Sequence, residues 1–574
     1  MSARELITDH LDLWTGAVTT RSTAGRGPSS GMRGKIELTG IKKLRELILE
    51  LAVRGKLVEQ DPNDEPASVL LERIAEEKAR LVKEGKIKKP KSLPEITEEQ
   101  KPFELPEGWL WSRLSDVLRV INGRAYKKHE MLQEGTPLLR VGNLFTSNEW
   151  YYSDLELEDD KYIDYGDLIY AWSASFGPFI WNGDRAIYHY HIWKLELYDS
   201  KSIDKYFIYN YLKSVTEKIK ASGSGIAMIH MTKAKMEEIF FPFPPLEEQQ
   251  RIVQRVDDLM ALCDRLEQQV GDQLEVHEVL VDTLLDTLNH SANAAEVAEN
   301  WARIAENFDT LFTTDASIDK LKQAILQLAV MGRLVEQDHN DEPASVLLER
   351  IANEKARLVK AGKIKKTKKL PDDIESDKPF SLPRGWQWVS IANTGITSTG
   401  KTPSTKVKSH YDGDIPFIGP GQISPSGQIN TPDKFISEEG ILESDEALPG
   451  DIVVVCIGGS IGKCAKIKGR CGFNQQINKI RPIIAHPDYL LSALSTDFIQ
   501  KTVLEKSTGS ATPIINRSKW ESMCIPLPPI NEQHRIVDKV EELMAFCDQL
   551  KTRLGEAGKT RTQLAEAVVE QAVN

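Results

Sequence analysis

From residue 44 to residue 53, apolar side chains recur every three or four positions and stop before Gly55. That spacing predicts an amphipathic helix closed by a glycine. A second helix is predicted from near Asp64, Glu65 and Pro66 to Gly85, with Ala67, Leu70, Leu71, Ile74, Leu81 and Val82 as its apolar stripe. Further on, Ile252, Val256, Leu259, Cys263, Leu266 and Val270 step by fours and threes. So do Ile536, Val540, Leu543, Cys547, Leu550 and Leu554. Each is the seam of a coiled coil on a long helix. Pro244-Pro245 and Pro528-Pro529 stand where helix starts tolerate proline, and Glu247, Glu248 and Glu532 put negative charge in the first turn. Between the helical stretches, strand-like runs appear at 162–172 and 187–197, then at 451–457 and 479–484.

The helical text occurs twice. Residues 63–89 and 340–366 match at 25 of 27 positions, differing only at Glu76/Asn353 and Glu84/Ala361. The match extends to 43–61 with 320–338 and to 101–111 with 378–388, all at an offset of 277. Residues 241–266 repeat as 525–550 at an offset of 284. The corresponding seams suggest that the two long helices pack together as a symmetric pair; packing of each seam on its own half is the alternative. The intervening segments are unlike in sequence. Residues 109–240 are rich in Trp, Tyr and Phe, and 386–524 in Gly, Ser and Thr.

The expected fold is therefore α/β (α+β): two mixed α/β domains joined by long antiparallel coiled-coil helices in a pseudo-two-fold internal repeat. The expected divisions are an N-terminal region with the first helical repeat (1–100), a first variable domain (101–243), and a central long helix and linker (244–316). A second helical repeat (317–377), a second variable domain (378–527) and a C-terminal coiled-coil helix (528–574) follow. Shared frame and unlike domains suit a protein that reads two different things at a set distance.

Composition narrows the class. The chain has 574 residues, 40% hydrophobic and 28% charged, with no apolar run long enough to span a bilayer. Its N-terminus has acids and polar residues where a signal peptide needs an apolar core. The net charge of −12 argues against non-specific coating of nucleic acid, but residues 387–524 carry 14 Lys/Arg against 13 Asp/Glu. The six cysteines show no CxxC spacing, so reduced buried thiols are expected and no metal site.

The doubled segment Pro244-Pro245-Leu246-Glu247-Glu248-Gln249-Gln250-Arg251-Ile252-Val253 and Pro528-Pro529-Ile530-Asn531-Glu532-Gln533-His534-Arg535-Ile536-Val537, with the doubled L-P-x-G-W at 105–109 and 382–386, resembles the specificity subunit of type I restriction-modification systems. The opening Thr399-Gly400-Lys401-Thr402-Pro403-Ser404 of the second domain is similar to that family too. The resemblance covers nearly the whole chain. It implies a non-catalytic subunit whose variable domains are target recognition domains, each reading one half of a split, asymmetric DNA sequence. The partners it implies are double-stranded DNA, two adenine-methylating modification subunits and restriction/translocase subunits, with no membrane and a cytoplasmic location. S-adenosylmethionine, ATP and magnesium are expected on those partners only. A helix of about 30–40 residues, roughly 45–60 Å long, could separate two domains by one or more turns of DNA.

Other motifs fail. Gly458-Gly459-Ser460-Ile461-Gly462-Lys463-Cys464 lacks the first glycine and the Ser/Thr of a phosphate loop, and strand-like residues follow it, so a β-hairpin turn is expected. No Asn/Asp-Pro-Pro-aromatic motif marks a methyltransferase. Asp372, Asp373 and Glu375 read as a solvated strap.

If the chain reads DNA, Arg and Lys suit guanine, Asn and Gln suit adenine, and Lys, Ser and Thr suit phosphates. The first-domain candidates are Arg124, Lys127, Lys128, Arg140, Asn143, Ser173 and Ser175, with His189, His191 and His230 behind them. His189 and His191 rank low because they sit at strand spacing. The second-domain candidates are Lys401, Thr402, Ser404, Lys406, Gln422, Ser460, Asn474, Gln475, Gln476 and Arg517, with the three consecutive amides foremost. Trp172, Trp181 and Trp193 fit core aromatics better than stacking platforms. The basic straps 86–91 and 363–369 suit either phosphate or solvent. The competing readings are a coiled-coil scaffold with two protein-binding domains and an enzyme using the Gly-Lys turn.

Overall fold

A computed structural model describes residues 3–21, 35–88, 93–173, 175–221, 231–291, 294–364, 378–509 and 512–573. Two compact units emerge, one built mainly on Ile36–Asp272 with Gly558–Asn574 and the other on Gln273–Ala557. The repeated text forms helices α1 (Thr39–Val53), α2 (Ala67–Lys83) and α3 (Leu246–His290), then α4 (Asp315–Val330), α5 (Ala344–Lys360) and α6 (Ile530–Val573). At 45 and 44 residues, α3 and α6 exceed the expected length. The α3 seam is broken by the exposed Val276, Val279 and Leu280 and resumes at Val281, Leu285 and Leu288. The expected linker after α3 contains a further helix, Ala294–Glu306.

Each seam lies in the core of its own unit. Ile252, Val256, Leu259 and Cys263 pack with Leu44, Leu47, Ile48 and Leu51 of α1, and the last turns of α6 join them through Ala565, Val568 and Ala572. In the other unit Ile536, Val540 and Cys547 pack with Ile318, Leu321 and Ile325 of α4, together with Val281, Leu285 and Leu288 of α3. The long helices thus share cores through unlike stretches: the front of one with the end of the other.

The repeated motifs are the joints of this frame. The Trp109 indole donates to Glu248 at 2.9 Å, and Trp386 to Glu532 at 2.9 Å. The same glutamates accept from Gln60 and Gln337. Arg251 pairs with Asp64 at 2.6 Å and Arg535 with Asp341 at 2.7 Å. Gln249 and Gln533 each donate to the first proline carbonyl of their own motif, at 2.9 Å. The first N–H groups of α2 and α5, at Ala67 and Ala344, donate to Gly108 and Gly385. The glycines ending α1 and α4 are required twice over. Gly55 and Gly332 have φ of +66° and +68°, and a Cβ on either would lie 2.5 Å from the proline of the L-P-x-G-W segment. Glu248 and Glu532 are 1% exposed, and burial pushes their carboxyls above the ordinary value despite the bonds from Trp and Gln.

The variable segments, unlike in sequence, follow one chain path. In the first, the strands are β1 (Leu110–Arg113), β2 (Leu118–Asn122), β3 (Thr136–Leu139), β4 (Tyr151–Ser153), β5 (Tyr162–Ile163), β6 (Leu168–Ser173), β7 (Ser175–Ile180), β8 (Ala186–Tyr188), β9 (Ile192–Leu197) and β10 (Phe240–Phe243). The second has β11 (Gln387–Ser390), β12 (Gly395–Thr399), β13 (Ile415–Ile418), β14 (Lys434–Ile436), β15 (Asp445–Ala447), β16 (Ile452–Val455), β17 (Cys464–Lys466), β18 (Cys471–Phe473), β19 (Ile477–Pro482) and β20 (Cys524–Leu527). An antiparallel sheet runs β2-β9-β6-β7 in one and β12-β19-β16-β17 in the other. A mixed sheet runs β4-β3-β8-β5 and β14-β13-β18-β15, with its parallel pair at β3/β8 and β13/β18. β1 pairs with β10 as β11 does with β20. Residues such as Leu139, Ile169, Tyr188 and Ile192, or Ile418, Val453, Phe473 and Ile477, fill the space between the two sheets.

Two predicted runs are corrected. The run 162–172 is two strands of different sheets, turned at Gly166 with φ of +87°. The run 187–197 is also two strands, joined by a loop at 189–191. Apolar residues continue through both halves of each run because the strands on either side of the turn are largely buried.

Candidate nucleic-acid interface

The chain crosses from the mixed sheet to the antiparallel sheet twice in each variable domain, and the second of these crossings lies at 189–191 in one and 474–476 in the other. Matching backbone bonds hold both crossings. His189 N donates to Leu139 O at 2.9 Å, and Asn474 N to Ile418 O at 3.2 Å. Trp172 N donates to His191 O, and Cys456 N to Gln476 O. Gly123 N donates to Ile192 O, and Gly400 N to Ile477 O. Arg124 N reaches Tyr188 O as Lys401 N reaches Phe473 O, both at 3.1 Å. A Cβ on Gly123 would lie 2.3 Å from His189 O, and one on Gly400 2.2 Å from Asn474 O. Glycine is needed at both places by close approach alone.

The side chains differ completely. In the first domain His189, Tyr190 and His191 form an aromatic cluster, with Tyr190 40% exposed. Trp172 stands edge-on to His191 at 5.0 Å, and its indole donates to Tyr190 O at 2.9 Å. Burial first, then His191 and Arg140, pull His189 down to about 4, so its ring is neutral at pH 7. Burial also lowers His191. In the second domain Thr402 donates to Gln475 Oε1 at 2.6 Å. Asn474 Nδ2 donates to Gln476 Oε1 at 3.2 Å, and Gln476 N donates to Asn474 Oδ1 at 3.0 Å. Gln475 is exposed; its neighbours are half-buried.

The other candidates are placed as follows. Asn143 and Gln422 close equivalent turns. Asn143 accepts from Arg140 N and donates to Glu149 O; Gln422 accepts from Gly419 N and donates to Asp433. Arg124 lies over Tyr126 and forms a two-pronged pair with Glu130, whose carboxyl Arg124 and the Lys127 N–H hold down to about 2. Arg140 lies over Tyr151 at 4.9 Å. Arg517 pairs with Glu521 and Thr397, against the middle of β12. Lys401 pairs with Glu443 at 3.2 Å. Lys127, Lys128, Ser404 and Lys406 are exposed. Ser173 ends β6, and Ser460 sits in the hairpin joining β16 to β17. That hairpin has Gly458 and Gly462 at positive φ and runs into a strand, which removes the phosphate-loop reading. Trp181 and Trp193 are core residues, whereas Trp172 is only partly buried. The Ser175 side chain, His230, Lys89, Lys91, 365–369, Asp372, Asp373 and Glu375 lie outside the described residues. Sequence reasoning missed Tyr190 and Gly123 and gave Gly400 no role of its own, although Gly123-Arg124 and Gly400-Lys401 stand at the repeat offset of 277.

Burial pushes the Cys456 and Cys471 thiols up to about 12, so they stay protonated. Among the described residues no helix is long and apolar enough to cross a membrane.

Comparison with known proteins agrees with this arrangement. The type I restriction modification DNA specificity domain matches twice, at residues 106–276 and 383–557, once over each variable domain with its following helix. Over their whole lengths, the chain is 41% identical to the type I restriction enzyme EcoAI specificity subunit and 40% identical to the EcoEI specificity subunit, both of Escherichia coli. A solved chain from work on complex assembly and conformational transition of the type I R-M system is 18% identical, covers 82% of this chain and 99% of its own, and superposes with a TM-score of 0.49. The chain belongs to the family of type I restriction-modification specificity subunits, with two recognition domains and a recognition rather than a catalytic role.

Proposed function

We propose that the chain reads a split, asymmetric DNA sequence, one half per recognition domain, and positions two adenine-methylating subunits and the restriction/translocase subunits on it in the cytoplasm. S-adenosylmethionine, ATP and magnesium are then held by those partners. The observation that carries this reading is the pair of recognition domains with one chain path and different exposed side chains at the same crossing. Base edges are read by such side chains, while exposed lysines and serines anchor phosphates. Lys127, Lys128, Ser404 and Lys406 are suited to that second task, and Arg124, Arg140, Ser173, Ser175, Lys401, Thr402, Ser460 and Arg517 belong to the same domains.

Co-expression with the methylating subunit of the same system, followed by mapping of N6-methyladenine across the host genome, tests the reading. One motif with two short specific halves around a fixed unspecified gap is expected. An assembled complex that binds the methyl donor and leaves no such motif overturns it.

A further inference from the structure

The crossings at 189–191 and 474–476 are held alike and furnished differently. Four matching backbone bonds and one glycine contact hold each loop in the same main-chain path whatever side chains it carries. Other polar candidates of the two domains are engaged elsewhere: Asn143 and Gln422 close their own turns, and Arg124 and Arg517 are tied to Glu130 and Glu521. The middle residue of each crossing, Tyr190 or Gln475, is the exposed one.

We propose that these two tripeptides are the specificity-determining residues of the molecule, His189-Tyr190-His191 for one DNA half-site and Asn474-Gln475-Gln476 for the other. The proposal rests on the DNA-reading function above and adds where in each domain the bases are distinguished. The chemistry differs between the halves. Thr402 orients the Gln475 amide through its oxygen, and the amide nitrogen makes no hydrogen bond among the described residues. A carboxamide presented this way suits the paired N6 donor and N7 acceptor of adenine. The mutual bond of Asn474 and Gln476 holds two further amides beside it. In the first domain the neutral His189 ring offers one donor and one acceptor nitrogen, and Tyr190 a hydroxyl, beside the Trp172 ring.

The test uses the whole complex with its methylating subunit and the same genome-wide methylation map. Gln475→Ala is expected to lower discrimination about 10–100-fold at one or more bases of a single half-motif, leaving the other half and the gap unchanged. Tyr190→Ala is expected to do the same to the opposite half-motif. Gln475→Glu, which keeps the shape but only accepts hydrogen bonds, is expected to shift preference at that base from adenine toward cytosine. Assembly and melting temperature of each complex, matched to wild type, exclude a folding defect. If all three variants keep the wild-type motif, the tripeptides are not the readers, although the DNA-reading function stands. Changes in both halves, or in the gap, overturn the proposal equally. Absence of a split motif in the wild-type map is the separate outcome that removes the function itself.

Discussion

The loop at 189–191 and the loop at 474–476 share every backbone bond described above and no side chain. The helices that carry the two domains behave the other way. There the residues recur: Glu248 and Glu532 under Trp109 and Trp386, Arg251 and Arg535 on Asp64 and Asp341. The contrast separates two kinds of constraint. A buried polar joint admits one set of residues, because each donor left without its acceptor in an apolar interior is costly. A loop held by main-chain bonds and a glycine leaves its side chains free to differ. Duplication copied both regions, and the physics of each explains why one stayed legible as a repeat and the other did not.

The joints give the largest expected effect. Glu248→Ala and Glu532→Ala each leave a buried indole N–H without its acceptor, while Gln60 and Gln337 keep theirs on Gly55 and Gly332, so each is expected to cost about 2–3 kcal/mol. Urea unfolding of the full chain, followed by a probe in each unit, checks it. Similar losses in the mutated unit support an equivalent frame. A loss under about 1 kcal/mol in either would break the comparison. Glu248→Gln and Glu532→Gln keep an acceptor oxygen and should cost far less. They should also remove a pH dependence. With the folded carboxyl raised by burial, the folded state binds the proton more readily than the unfolded one. Stability therefore falls as pH rises from the ordinary carboxylate value through the raised one.

Glycines sharpen the comparison at a smaller scale. Gly55 and Gly332 combine positive φ with a proline 2.5 Å from any Cβ, so alanine at either is expected to cost about 2–3 kcal/mol. Gly85 and Gly362, at φ of +72° and +70° with nothing within 4 Å, bear the backbone strain alone, about 1 kcal/mol. Thermal or urea unfolding of the four variants should fall into two pairs by position in the repeat. Pairing by unit instead would mean the copies are not equivalent.

The repeated helices could be read from apolar spacing because α2 and α5 each bury one stripe, α1 and α4 are apolar and buried nearly all round in their last turns, and all four end at a glycine. The joints could be located but not understood, since nothing in the text says that the tryptophan of one motif meets the glutamate of another 139 residues away. The shared path of the recognition domains was hidden by the divergence of their side chains. The first loop was hidden by its own composition. His189-Tyr190-His191 contains no glycine, proline or asparagine to punctuate it, and apolar residues continue on both sides, so two strands looked like one. At the same place in the second domain, Asn474-Gln475-Gln476 interrupts the apolar pattern, and those residues stood out.

That difference in composition also yields the smallest and most selective expectation. The first loop contains titratable rings and the second only amides, so pH should act on one domain's loop and not on the other's. His189 titrates near 4 when folded and near 6.5 when free of the fold, with His191 and Arg140 facing it and His191 lowered in the same sense. Between those values the unfolded chain binds more protons than the folded one. The contribution of His189 to stability is therefore complete above about 6.5 and is lost as pH falls toward 4. His189→Asn gives the first loop the residue that opens the second and removes one of its titrating rings. Unfolding free energies of wild type and variant at pH 5 and pH 7.5 isolate the effect, since carboxylates elsewhere act equally in both proteins. The variant should lose less stability than wild type on going to pH 5. An identical loss would mean that His189 stays neutral or charged alike in both states, and that the loops differ in the groups they present but not in how they respond to protons.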